Sequence, residues 1–134
     1  MTSLNVTRTT IQAENRSWLR GPHGTEPGAN PNVTLDVSKF TALTHFPNGF
    51  IPSGIVLGKI TTGGKYGPYD KDATDGRQVA AGFLFGSLTI DGATVVAGGL
   101  VIHGFVNPAK LPLQSGTGAL DAAARTALTA VIFE

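Results

Sequence analysis

The chain has 134 residues, which fits one domain able to bury about two-thirds of its unfolded surface without a metal or disulfide. It contains no cysteine, so a disulfide scaffold and thiolate chemistry are excluded, and a net charge of +1 points to neither nucleic acid nor an acidic partner. Charged residues make up only 14%, against about 25% in a typical soluble domain, which fits a compact, neutral monomer or, as the favoured reading, a surface partly covered by other subunits.

No basic start leads into an apolar run after Met1, so no signal peptide is expected. No apolar stretch approaches the ~18 residues a membrane span needs, and no membrane partner is expected. The default is a soluble protein made in a cytoplasm. Residues 1–21 read as an extended N-terminal arm. It is polar, yet Val6, Arg8, Thr9, Thr10 and Ile11 favour extended backbone. Such a segment becomes a strand on a partner or stays a frayed terminus. Residues 22–32 read as a linker, punctuated by Pro22, Pro27-Gly28 and Asn30-Pro31.

The body is expected over residues 33–134. Val33, Leu35 and Val37 alternate with Thr34, Asp36 and Ser38, the pattern of a half-buried strand. Residues 55–62 predict a second strand, ended by the Gly63-Gly64 turn. Residues 65–77 predict a polar loop. Residues 79–90 and 94–105 predict two apolar strands joined at Asp91-Gly92, a hairpin signal because both turn positions need positive φ. Gly98-Gly99 and Gly104 signal bulges or close backbone approach. Asp121 predicts the N-cap of a short helix over 122–128, and residues 130–133 a last strand. The fold class is therefore predominantly β (α+β): a compact antiparallel β-sheet or barrel-like body with one short C-terminal helix and an extended N-terminal arm.

Candidate chemistry is thin. Asp70, Asp72 and Asp75 with Gly76 resemble a calcium loop, but the sixth position is Asp75 and the twelfth is Ala81, where glycine and glutamate are required. A solvated turn with Asx hydrogen bonds fits better. His23, His45 and His103 are scattered and form no ligand spacing, so no metal and no cofactor is expected. His103 sits in an apolar strand and reads as a hydrogen-bonded core or interface group. The serine-glycine pairs lack the nucleophile-elbow frame, and Gly63-Gly64-Lys65 lacks the phosphate-loop spacing. The sequons at Asn5, Asn15 and Asn32 read as chance matches without a secretion signal. No catalytic residue emerges, and the reading is not an enzyme.

Several pieces in order resemble the lambda-type bacteriophage head decoration family. They are Gly54-Ile55-Val56-Leu57-Gly58, Tyr66-Gly67-Pro68-Tyr69-Asp70, Ala73-Thr74-Asp75-Gly76 and Ala80-Ala81-Gly82-Phe83-Leu84. A hydrophobic hairpin ending in Asn107-Pro108, then Arg125-Thr126-Ala127 before an apolar strand, completes the order over about residues 33–134. The resemblance implies a homotrimer at three-fold and quasi-three-fold points of an expanded icosahedral head, on its outer surface, resisting the pressure of packaged DNA. It implies the major capsid protein as partner, with the arm pairing to its strands. The capsid-binding residues it points to are Leu4, Val6, Arg8, Thr9 and Ile11. A tail or spike β domain binding a host receptor is the alternative. A small trimeric enzyme with sites between subunits is a third reading.

Overall fold

The computed structural model describes residues 14–26 and 28–133. Five strands close into a barrel in the order β1-β4-β3-β5-β7: β1 (Asn32–Asp36), β4 (Tyr66–Pro68), β3 (Val56–Lys59), β5 (Ala80–Leu84) and β7 (Val95–Val101). Antiparallel pairs β1–β7, β3–β4, β3–β5 and β5–β7 build most of the wall, and a short parallel contact at Leu35↔Tyr66 closes it. Two further strand pairs flank the barrel. β2 (Phe50–Ile51) runs antiparallel to β6 (Leu88–Thr89), and β8 (Gly104–Val106) runs parallel to β9 (Val131–Phe133). The helices are a single turn, α1 (Ala42–His45), and α2 (Ala122–Ala127).

Neighbouring side chains on a strand point to opposite faces, and here both faces are covered. Leu35, Leu57, Leu84 and Leu100 belong to one buried cluster with Val33, Ile51, Ile55 and Ile90. Their strand neighbours Val56, Phe83 and Val101 belong to a second, with Trp18, Tyr69, Val106, Leu111, Ala124, Leu128 and Val131. The first cluster fills the barrel. The second lies between the barrel wall and an outer layer made by α2, β8, β9 and the segment around Trp18. This double cover explains why β3 and β5 read as near-continuous apolar runs rather than alternating ones.

The expected β1 is present, with Val33 and Leu35 buried and Asn32 and Thr34 exposed. Asp121 caps α2, its carboxylate accepting the Ala124 N–H at 2.8 Å. One local reading needs correction and a second holds in part. The expected polar loop 65–77 contains a barrel strand, β4, because tertiary pairing of Leu57 with Pro68 and Gly58 with Gly67 overrides the turn-like Gly-Pro. Asp91 and Gly92 do adopt positive φ, 43° and 74°, and the Ala93 N–H closes the turn on Ile90 O at 2.8 Å. The two apolar runs that this turn joins do pair antiparallel through β5 and β7, Phe83 with Val101 and Leu84 with Leu100, but β6, nearer the turn, leaves the ladder to pair with β2, and β7 also pairs with β1.

A bulge between Leu57 and Gly58 shifts the β3–β5 register. Only glycine fits there, since a Cβ on Gly58 would stand 2.7 Å from the backbone of Arg77. That contact brings the 70–77 loop down onto β3.

Candidate shell-binding surface

The five residues expected to bind a capsid, Leu4, Val6, Arg8, Thr9 and Ile11, lie outside the described residues. What the structure does define is how the chain reaches the body. Residues 14–20 lie across the outer layer. Trp18 is fully buried, its ring 5.3 Å from that of Phe83, and its indole N–H donates to Ser53 Oγ at 3.0 Å. Ser53 Oγ in turn donates to Phe85 O at 2.6 Å. Leu19 forms an isolated antiparallel bridge with Val106, flanked by Arg20 N–H to Phe105 O at 3.0 Å and Asn107 N–H to Trp18 O at 2.8 Å. These residues thus extend the β8–β9 pair by one more short, strand-like segment.

Beyond Trp18 the chain crosses to the connection between β5 and β6. The Arg16 guanidinium sits 4.1 Å from the Phe85 ring centroid. Glu14 Oε1 accepts the Ser87 N–H at 2.9 Å and the Arg16 Nε–H at 3.1 Å. A shallow groove of about 180 Å³ adjoins this point, lined by Asn15, Phe50, Pro52, Ser53, Ser87, Lys110 and Pro112. Trp18 is the sole tryptophan of the chain, set in an otherwise polar segment. It has no role in the arm expected from the sequence, although a lone large aromatic before a breaker-rich linker is itself a signal of an anchored segment.

An apolar strip lies on β8 and β9. Phe105 and Ile132 are register partners, 37% and 51% exposed, with Ile102 nearby in the chain at 39%. His23 packs its ring against His103 at 5.0 Å and against Phe105 at 5.7 Å. His103 is therefore half-buried at the edge of this strip rather than in the core.

A second depression, about 290 Å³, is lined by Asp70, Asp72, Gln114, Thr117, Asp121 and neighbours. On its wall Tyr69 donates its hydroxyl to both carboxylate oxygens of Asp121, at 2.9 and 3.1 Å. Burial, reinforced by that hydrogen bond and the negative charge, pushes the Tyr69 phenol up to about 12. The phenol stays a donor at every ordinary pH, so the pair is structural. The aspartate loop makes the expected Asx bonds: Asp70 Oδ1 accepts the Asp72 N–H at 3.0 Å. Asp75 pairs with Arg77 at 3.0 Å, and although burial opposes it, the Arg77 hydrogen bonds and charge keep this carboxyl below its ordinary range. Among the described residues no three acidic or histidine side chains gather as a metal would require.

His45 joins α1 to the segment before α2. Its Nδ1 accepts the Thr41 N–H at 2.8 Å, so Nε2 carries the proton and donates to Thr117 O at 2.9 Å. Only the neutral ring can do both. Burial holds its basicity below the ordinary value, outweighing the Thr117 bond that favours the cation. The folded state therefore binds fewer protons than the unfolded one near pH 6.5. Stability is expected to be complete above that pH and to fall as the pH drops from it through the lowered folded value. Urea unfolding between pH 7.5 and 5 checks this, and a His45→Gln variant should lose most of that acid slope.

No helix among the described residues is long and apolar enough to cross a membrane. No individual curated protein and no solved structure matches the chain. A family model, described as bacteriophage lambda head decoration protein D, matches residues 28–132, which spans the whole barrel and the outer layer apart from the segment around Trp18 and the end of β9. The strand-rich barrel, α2, β8 and the order of turns that carried the resemblance all fall within that match, and the chain belongs to the lambda head decoration protein D family, whose role is to decorate a phage head.

Proposed function

We propose that this chain is a trimeric decoration protein that binds the expanded phage head at three-fold and quasi-three-fold positions, on the outer surface of the virion. It stabilises the shell against the pressure of packaged DNA and is not an enzyme. Membership of the decoration family carries the reading. The low charge and the exposed Phe105–Ile132 strip support self-association, since such apolar surface is covered in an oligomer.

In this reading the N-terminal arm grips the major capsid protein by adding a strand to one of its sheet edges, through Leu4, Val6, Arg8, Thr9 and Ile11. Ordering each backbone residue costs about 1–2 kcal/mol, so one short strand binds weakly. Three arms on one trimer bind intramolecularly after the first, which multiplies affinity by about 10²–10⁴.

Deletion of residues 1–13 tests it. The cut spares Trp18 and the bonds of residues 14–20, so the truncated protein is expected to melt like the full chain and to keep its mass in solution. Its affinity for undecorated expanded heads should fall at least about 10²-fold. Unchanged binding in a sedimentation assay would overturn the arm's role. A monomeric mass for the full chain would overturn the trimer.

A further inference from the structure

We propose that residues 14–20 are a strap that aims the arm and carries load from it into the barrel, with Glu14 and Arg16 as positioning residues for shell binding. The proposal rests on the shell-binding reading of the arm. Without a strap, the arm would pivot at the glycine- and proline-rich segment after Arg20, where the chain has many accessible directions. The structure moves the pivot toward the N-terminus, to Glu14.

Three separate elements hold the strap. Its C-terminal end is bonded to β8 through Leu19 and Arg20, its middle to the turn before β3 through Trp18 and Ser53, and its N-terminal end to Phe85 and Ser87. Tension on the arm is therefore resisted by a buried indole, the β5–β6 connection and strand β8 before it reaches the linker. The two outermost contacts add little to the fold. The Glu14 and Arg16 side chains are 36% and 43% exposed, and an exposed ion pair of this kind contributes little stability. What they do is fix the direction in which the chain leaves the body, past Phe85 and Ser87 and beside the groove floored by Phe50 and Pro52. An arm already aimed loses less conformational freedom when it pairs, and preorganisation of this sort appears as affinity.

The test is a double variant, Glu14→Ala with Arg16→Ala, in the full chain and in the chain lacking residues 1–13. Binding is read on undecorated expanded heads, and melting temperature on the free protein at fixed concentration. The full-length variant is expected to melt within about 3 °C of the parent. Its affinity should drop at least about tenfold, the loss recurring in each arm of a trimer. On the truncated background the same substitutions should cause no further loss. Three outcomes would overturn the proposal. Unchanged affinity of the full-length variant, while the truncation still abolishes binding, refutes the strap and leaves the arm reading standing. A melting temperature lowered by more than about 5 °C makes the contacts plain stabilisers. Full binding by the truncated parent refutes the arm and the strap together.

Discussion

Trp18→Ala is expected to destabilise the folded protein by about 3–5 kcal/mol, the usual cost of truncating a fully buried large aromatic. The indole is 0% exposed and packs against Phe83 in the cluster between barrel and outer layer. Its site has little room to collapse. Gly54 lies directly beneath, where a Cβ would stand 2.9 Å from the indole nitrogen, and Ser53 is tied to the β5–β6 connection. The vacated space would therefore stay open, and Ser53 would lose its donor. For a domain of this size the loss corresponds to roughly 10–20 °C in Tm, a large part of the ~5–15 kcal/mol that holds a typical domain folded. Thermal melts at fixed protein concentration measure it, since oligomerisation makes Tm concentration-dependent. Trp18→Phe, which keeps an aromatic ring but loses the bond to Ser53, should cost distinctly less. A Tm drop below about 3 °C for the alanine variant would mean that the outer layer does not depend on this anchor.

Asp121→Ala is the second large effect, at about 2–4 kcal/mol. Two losses combine. The α2 cap on Ala124 disappears, which costs about 1 kcal/mol. The Tyr69 hydroxyl, on a residue only 2% exposed, loses both of its carboxylate partners, and an unpaired buried hydroxyl costs about 1–3 kcal/mol. Because the hydroxyl is the expensive part, Tyr69→Phe in the Asp121→Ala background should recover some of the loss, and a double-mutant cycle isolates the coupling. The phenol supplies a second readout. Its ionisation near pH 12 should move down part of the way toward the ordinary value, because the aspartate contribution is gone while burial remains. A strictly additive cycle would show that Tyr69 and Asp121 act independently.

The same two residues mark how far residue-by-residue reading reaches. Asp121 was legible as a helix cap because capping is local chemistry: a short acceptor one step before an alanine run. Its bond to Tyr69 spans 52 residues and leaves no local trace. The Asp91-Gly92 turn was legible for the same reason as the cap, its backbone being dictated by two residues. So was the antiparallel pairing of the two runs it joins, realised between β5 and β7, whereas the loss of β6 to β2 was not, because pairing partners are chosen by competition across the whole sheet. β4 shows that competition most plainly: Tyr66-Gly67-Pro68 has turn chemistry, yet it closes the barrel. On the candidate site, the extended propensity of residues 6–11 was readable from composition, whereas the strap depended on distant partners, Ser53, Phe85 and Ser87.

The amino-acid sequence alone determined the class of this protein: a mostly β body, one capped helix after residue 121, turns at Gly63-Gly64 and Asp91-Gly92, and a polar, strand-prone N-terminus. Each of these follows from backbone preference and side-chain alternation, which act over a few residues. Only the tertiary structure decided that the sheet closes into a barrel, that two apolar clusters cover both faces of its wall, and that Trp18 joins the outer one. Burial is a cooperative property of contacts far apart in the chain, so the Trp18 anchor came into view only when Ser53, Phe83 and Phe85 were placed around it.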